Sequence, residues 1–268
     1  MSDLAIGILG GAGRMGRALV RAVTEAKGAV VIGAVDAPGN PEMGKDLGVL
    51  AGIDPLGAVL GDDVKALFAK ADVIIDFTVP KATVENARIA AVTGTAYVVG
   101  TTGLEPAQQA IVAEAGKRAV VVQAANFSLG VNLTIALTRR LAEVLDDSFD
   151  IEIVEMHHRH KVDAPSGTAL ALGRAAAEGR GVSLENVADR GRDGITGART
   201  RGHIGFGVLR GGNVAGDHTV IFAADDERIE LSHKAGDRII FARGAVHAAL
   251  WTAGKAHGYY TMQDVLKL

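Results

Sequence analysis

Short β-branched runs alternate with Ala-rich stretches along the first half of the chain. Leu4–Leu9, Val30–Val35, Val73–Phe77, Ala96–Val99 and Ala119–Gln123 predict strands. Between them, Arg14–Lys27, Asp62–Lys70, Lys81–Thr93 and Pro106–Ala115 predict helices. Strands that alternate with helices form βαβ units in a mostly parallel, doubly wound sheet, and right-handed crossovers place helices on both faces.

The pattern changes after about residue 127. Asn132–Leu145 predicts one long helix, Asp150–Met156 a strand and Thr168–Glu178 a helix. Gly181–Gly202, rich in Gly, Arg and Asp, predicts an exposed loop. Gly205–Leu209, His218–Ala223 and Arg228–His233 predict strands, and Asp225-Asp226-Glu227 joins the last two as a hairpin. Arg228, Glu230 and Ser232 alternate with Ile229 and Leu231, which makes one face of that strand polar. Ile239–Ala253 predicts a helix that returns to the first domain. The expected fold class is α/β: an N-terminal Rossmann-type doubly wound parallel sheet, then a second α+β domain with a mixed or antiparallel sheet. The expected domains are 1–127 with 238–268, and 128–237.

Composition narrows the function classes. The 268 residues suffice for a sizeable core without disulfides or metals, and 48% are apolar and 22% charged. A net charge of −3 points to neither nucleic acid nor an anionic membrane. The chain has no Cys, which excludes disulfides, thiolate nucleophiles and zinc–thiolate sites and is compatible with a cytoplasmic protein. Apolar runs are short and broken by Gly, Asp or Lys, so no transmembrane helix is expected, and the N-terminus lacks the basic and apolar regions of a signal peptide.

The first strand runs into Gly10-Gly11-Ala12-Gly13-Arg14-Met15-Gly16 and then a helix. Gly11, Gly13 and Gly16 satisfy G-x-G-x-x-G; Gly10, Gly13 and Gly16 satisfy G-x-x-G-x-x-G, and both registers remain open. In either, glycines allow the tight turn and the backbone's approach to a pyrophosphate, and the helix N-terminus offers N–H groups and a positive dipole end. Asp36, 20 residues beyond Gly16, ends the next strand, where an acid hydrogen-bonds the adenosine ribose. A carboxylate there repels a 2′-phosphate, and Ala37-Pro38-Gly39 supplies no adjacent Arg, so NADH is expected to be preferred over NADPH. Three later strand ends are candidates for the same crevice: Thr78, Gly100-Thr101-Thr102-Gly103 and Ala124-Ala125-Asn126-Phe127.

The most unusual segment is Glu155-Met156-His157-His158-Arg159-His160-Lys161-Val162-Asp163-Ala164-Pro165-Ser166-Gly167-Thr168. Three of the eight His fall within four positions beside Arg159 and Lys161, and the segment opens a helix. Ser166 or Thr168 is the expected cap. Cationic side chains beside a helix N-terminus make an anion site, which suits a carboxylate substrate. A solvated basic face and a regulatory phosphate site are competing readings. His157 and His160 are close enough for a metal, but the neighbouring Arg and Lys repel a cation, so none is expected.

That segment resembles the signature of the dihydrodipicolinate reductase family of bacterial and plant lysine biosynthesis. The resemblance extends to Gly-Arg-Met-Gly at 13–16, Asp-Phe-Thr at 76–78, Gly-Thr-Thr-Gly at 100–103 and Asn-Phe-Ser at 126–128. It continues through His-Lys-Ala at 233–235 and Gly-Ala-Val-His-Ala-Ala-Leu-Trp at 244–251, in the family's order. It implies hydride transfer from NADH or NADPH to a cyclic, unsaturated dicarboxylate, giving tetrahydrodipicolinate. His157 matches the acid/base histidine and Lys161 the proton donor. His158, with Ser166, Gly167 and Thr168, matches the substrate-carboxylate contacts. Gly10, Gly11, Ala12, Gly13, Arg14, Met15, Asp36, Thr78, Gly100, Thr101, Thr102 and Ala124, Ala125, Asn126 and Phe127 fall in the cofactor motifs. The first domain then binds dinucleotide, and the second binds substrate and assembles a homotetramer. Some members carry Arg after the acidic residue, where Ala37 stands here. The alternatives are another two-domain NAD-dependent amino-acid or imine dehydrogenase and a non-catalytic dinucleotide sensor; neither needs the His157–Lys161 pair.

Overall fold

The computed structural model describes residues 3–268. The chain divides into two compact units, one reaching to Leu129 and taking in Arg238–Lys267, the other comprising Gly130–Asp237.

The first unit runs β1 (Leu4–Leu9), α1 (Arg14–Glu25), β2 (Ala29–Val35), α2 (Leu47–Ala51), β3 (Leu60–Gly61), α3 (Val64–Lys70), β4 (Val73–Asp76), α4 (Pro80–Thr93), β5 (Ala96–Val99), α5 (Pro106–Ala115) and β6 (Val120–Gln123). Apolar strands alternate with helices that begin where caps permit. Pro80 and Pro106 open α4 and α5 at positions where the missing N–H costs nothing. Gly94, in the left-handed region, ends α4. After α6 (Leu129–Val144) the second unit continues with β7 (Asp150–His157), α7 (Gly167–Gly179), α8 (Leu184–Val187), β8 (Ala188–Asp189), β9 (Ile204–Arg210), β10 (Asp217–Ala223) and β11 (Arg228–Lys234). The chain then contributes α9 (Ile239–Trp251), β12 (Gly258–Tyr260) and α10 (Met262–Leu266) to the first unit.

The first unit's seven strands are all parallel, in the order β12-β6-β5-β4-β1-β2-β3. From β1 the chain builds outward through β2 and β3, then returns to build through β4, β5 and β6 on the other side. On one face, Leu19, Val23, Ala245 and Ala249 of α1 and α9 pack over Ile6, Ile8 and Ile75. On the other, Phe68, Ala87, Ala90 and Val112 cover Leu9, Ile74, Tyr97 and Val121. The doubly wound parallel sheet expected from the sequence is therefore present.

The second unit's sheet is mixed, in the order β11-β10-β7-β9-β8, with β7 central. β7 pairs parallel with β9 and antiparallel with β10, and β10–β11 is the expected hairpin. Burial alternates along β7, with Ile151, Ile153, Glu155 and His157 buried on one face. Ala169, Leu172 and Ala176 of α7 and Ala142 of α6 cover that face.

Every predicted strand and helix is present, with ends shifted by three residues or fewer. The segment 181–202 is not wholly loop: α8 and β8 interrupt it, and β8 pairs with the start of β9. Four other short elements, α2, β3, β12 and α10, also lack a readable pattern. They are too short to show a period, and partners elsewhere hold them. β12 hydrogen-bonds to β6, and Asp46 caps α2 while also accepting the N–H groups of Leu56 and Gly57.

Candidate active site

The topological switch point of the first sheet lies between β1 and β4, where successive connections leave in opposite directions and open a crevice at the strands' carboxyl ends. Gly10 follows β1, Thr78 follows β4, Gly100–Thr102 follow β5 and Ala124–Phe127 follow β6. Neighbouring parallel strands bring all four segments to one edge. A Cβ on Gly10 would meet Thr78 Cγ2 at 3.2 Å.

Backbone geometry chooses the glycine register. Gly10 adopts φ +74°, Gly13 is the N-cap of α1, and a Cβ on Gly16 would lie 2.2 Å from the Gly10 carbonyl oxygen. Gly10, Gly13 and Gly16 therefore form the turn, helix start and close contact of the G-x-x-G-x-x-G reading. Gly11 has a different role: a Cβ there would meet Ala34 Cβ at 2.6 Å, so it lets the loop lie against β2.

The loop's N–H groups divide in the same way. Those of Gly10 and Gly11 donate to Val35 O, that of Gly13 to Gly10 O, and that of Ala12 to Asp36 Oδ2 at 3.0 Å. Arg14, Met15 and Gly16 are the first three helical residues, whose N–H groups have no acceptor inside the helix. This crowded turn, ending in donors at a helix N-terminus, fits a pyrophosphate. Asp36 also accepts the Ala37 N–H at 2.8 Å, and its oxygens retain lone pairs for ribose hydroxyls.

A buried carboxylate organises the β4 and β5 ends. Asp76 is fully buried and accepts from the Thr78 N–H (2.8 Å) and hydroxyl (2.6 Å), Thr83 Oγ1 (3.2 Å), Asn86 Nδ2 (3.1 Å) and the Tyr97 hydroxyl. Burial, then the Asp76 charge, push the Tyr97 phenol well above its usual range, so it remains a donor. The Thr101 hydroxyl lies 2.7 Å from Thr83 Oγ1 and is committed to this interior. Thr102 and Ala125 are exposed, whereas the Phe127 ring is buried against Phe77 at 5.7 Å between centroids. A Cβ on Gly100 would strike the Phe77 ring at 2.2 Å, so that glycine admits the aromatic pair.

The basic segment splits at the end of β7. His157 remains on the buried face, while His158 to Lys161 form a loop held by His158 N–H to Val214 O (2.8 Å) and Arg159 N–H to Gly212 O (3.3 Å). Arg159 and His160 are exposed, and Lys161 Nζ donates to Asp163 Oδ1 at 2.8 Å. Ser166 is the cap of α7, its Oγ accepting the Ala169 N–H at 3.1 Å. Gly167 opens the helix with an N–H that the helix cannot satisfy. Sequence reading did not assign the groups behind this arrangement: Glu155, Arg210, Gly216 and His218. Glu155 had a legible signal, since it stands two residues before His157 in a strand and shares its face. Arg210 and His218 had none, because strand register places them opposite His157 and Glu155.

His218 is nearly buried, its Nε2 lies 2.9 Å from Ser166 Oγ, and its ring meets that of His157 edge-on at 5.1 Å. Its Nδ1 has no hydrogen-bond partner among the described residues. Burial first, and the neighbouring His157 second, push its pKa down to about 4, against the pull of Glu155. A histidine depressed from 6.5 to about 4 binds its proton more readily in the unfolded chain. Its contribution is complete above pH 6.5 and is lost as pH falls towards 4. The wild-type melting temperature should drop across that window, and His218→Asn should make the drop shallower. Equal slopes in thermal melts of the two proteins would remove His218 from the acid response.

Comparison with known proteins identifies the family and the fold. Residues 4–127 match the description dihydrodipicolinate reductase, N-terminus, and residues 130–266 match its C-terminus. The 4-hydroxy-tetrahydrodipicolinate reductase of Rhodopseudomonas palustris (strain BisB18) is 59% identical over 268 residues, covering 100% of this chain and 99% of that protein. That of Bradyrhizobium diazoefficiens is 58% identical with the same coverage. A dipicolinate-bound dihydrodipicolinate reductase from Paenisporosarcina sp. TG-14 shares the fold, with a TM-score of 0.77 at 22% identity over 97% of each chain. Together with the glycine loop at the switch point, these relatives define an NAD(P)H-dependent oxidoreductase. The chain belongs to the dihydrodipicolinate reductase family.

Proposed function

We propose that His157 and Lys161 handle the proton, and that His158, Ser166, Gly167 and Thr168 seat a substrate carboxylate, in the reaction of this family. That reaction is the NAD(P)H-dependent reduction of a dihydrodipicolinate-type ring to tetrahydrodipicolinate, in the diaminopimelate route to lysine. Bound NAD(P)H supplies the hydride. The ring then carries charge that a proton must neutralise, and an ammonium or imidazolium beside it provides one. The observation that carries the assignment is local to one end of β7, where the His157 ring and the Ser166 cap of α7 are held together through Glu155. A cationic loop beside a helix N-terminus suits a carboxylate, and anchoring that group orients the ring for reduction.

Gly10 to Met15, Asp36, Thr78, Gly100 to Thr102 and Ala124 to Phe127 are assigned to the dinucleotide. The Asp36 carboxylate favours NADH, so kcat/KM should be higher with NADH than with NADPH. The reverse order in steady-state assays would overturn that preference. The same reading makes the protein a cytoplasmic homotetramer that assembles through the second unit's sheet.

Gly167→Pro tests the carboxylate seat. Pro is accepted at the first helical position, and Ser166 already has the extended backbone (φ −64°, ψ 155°) that a following Pro requires. The substitution therefore removes one N–H and leaves the helix intact. KM for the ring substrate should rise roughly tenfold, the loss of a charge-assisted hydrogen bond of about 1.5 kcal/mol. An unchanged KM would take the α7 N-terminus out of substrate binding.

A further inference from the structure

The Glu155 side chain is almost completely buried, at 1% exposure, on the same strand face as His157. Its two oxygens receive four hydrogen bonds. Oε2 accepts from Arg210 Nη1 at 2.8 Å and lies 2.5 Å from His157 Nδ1. Oε1 accepts from Arg210 Nη2 at 2.9 Å and from the Ser166 N–H at 3.0 Å. An ionised carboxylate offers about four acceptor positions, so this one is saturated. The Arg210 guanidinium is tied in turn: Nη1 also donates to Leu209 O and Nη2 to Asp163 O, each at 2.7 Å.

We propose that Glu155, clamped by Arg210, is the positioning residue of this site: it fixes the His157 tautomer and couples that ring to the N-terminus of α7. The inference rests on the acid/base reading of His157. A carboxylate can only accept, so the ring nitrogen facing it carries the hydrogen, in the neutral and the cationic form alike. Nδ1 is therefore committed and Nε2 is the nitrogen left for proton exchange. Carboxylate-held histidines elsewhere gain orientation and a stabilised imidazolium in the same way. Arg210 balances the charge, which makes burial of the anion tolerable. Burial alone would raise the Glu155 carboxyl, but the Arg210 and His157 hydrogen bonds and the Ser166 N–H outweigh it and hold it below the usual range.

The opposite side of the ring supports the assignment. Asp217 pairs with Met156, which places Gly216 beside His157. A Cβ on Gly216 would sit 2.9 Å from His157 Nε2. Glycine at this position leaves Nε2 uncovered, while Nδ1 faces the carboxylate. The other charged or titratable groups recorded beside the ring are His218 from β10, edge-on at 5.1 Å, and Arg210 from β9, which holds Glu155; His218 in turn feels His233 of β11 and Lys161 of the loop.

The test uses the full-length enzyme and three measurements. Glu155→Gln keeps the shape but can present either an oxygen or an NH2 group to Nδ1, and it leaves Arg210 unbalanced beside the ring. It should lower kcat about ten- to a hundredfold, the loss of one hydrogen bond to a charged group. The alkaline limb of the kcat–pH profile should move to lower pH, because an imidazolium donor beside Arg210 alone is less favourable and loses its proton sooner. The NADH Kd from fluorescence titration should remain that of the wild type, which a general folding defect would not allow. Unchanged kcat and pH profile in Glu155→Gln, alongside a strongly impaired His157→Ala, would overturn this inference and leave the acid/base reading intact. A fully active His157→Ala would overturn both. The third measurement needs no variant: ¹⁵N spectra of histidine-labelled wild-type enzyme should show His157 protonated at Nδ1, and an Nε2–H neutral tautomer would overturn the inference.

Discussion

Lys161→Ala is expected to lower kcat by about 10²- to 10⁴-fold, the range for loss of a positioned acid or base. Each tenfold step is about 1.4 kcal/mol, so the ammonium is assigned roughly 3 to 5 kcal/mol of transition-state stabilisation. The fold should tolerate the change. Lys161 donates to Asp163 near the surface, and an ion pair of that kind contributes at most about 1 kcal/mol. The loop has other anchors: the Lys161 N–H donates to His158 O at 3.1 Å, and Arg210 holds Asp163 O. Asp163, held low chiefly by its Lys161 hydrogen bond, would relax towards an ordinary exposed carboxyl. Steady-state kinetics should therefore show a fall in kcat with unchanged NADH binding. A kcat within twofold of the wild type would remove Lys161 from the chemistry and leave His157 as the only candidate donor.

The second large effect lies in the other unit. Gly16→Ala should weaken NADH binding roughly 10²-fold, the loss of about two hydrogen bonds to the pyrophosphate at about 1.5 kcal/mol each. The new Cβ would stand 2.2 Å from Gly10 O and 2.7 Å from Gly11 Cα. These are backbone atoms of a loop anchored through Val35 O, so no side chain can rotate to make room. Either α1 moves away from the turn or the turn itself opens, and both displace the N–H groups of Arg14 and Met15. Overpacking also costs about 1 to 3 kcal/mol of stability. Isothermal titration with NADH, beside a thermal melt to confirm folding, separates the two effects. A Kd within twofold of the wild type would show that the close α1 contact does not govern the dinucleotide site.

These two residues differ in how much of their role is legible in the sequence. Gly16 stands in a strand–turn–helix pattern whose steric reason is local, so its importance can be read from the chain alone, although the register cannot. Gly11 and Gly13 are both glycines, and only the φ of Gly10 and the packing of Gly11 on Ala34 separate the turn from the strand contact. Lys161 stands out by its company in a basic segment. Its partner Asp163 is two residues away, but nothing in the sequence shows that the two meet.

Asp76 and Glu155 mark where the sequence stops being informative. Both lie within recognisable motifs, yet the sequence assigns neither a role, because a carboxylate's function depends on what surrounds it. Asp76 gathers hydroxyl and amide donors from α4 and β5, and Glu155 gathers a guanidinium from β9 and an N–H from α7. An acid at an inward-facing strand position is the available warning, since burial of a charge requires such partners. Phe127 shows another limit: its motif assigns it to the cofactor segment, and the packing of its ring in the core beside Phe77 is not legible there.

The sequence alone determined the longer strands and helices of both units, the glycine turn, the Asp36 position and a Ser or Thr cap for α7. Each depends on residues within a few positions of one another, through a repeat of two or 3.6 residues or through a cap. Tertiary structure decided which side chains stand face to face. Arg210 is 55 residues from Glu155 in the chain, and Ser166 and His218 are 52 apart. They meet because β9 and β10 pair with β7 in one register, and a slip of a single residue would turn Arg210 or His218 to the other face of the sheet.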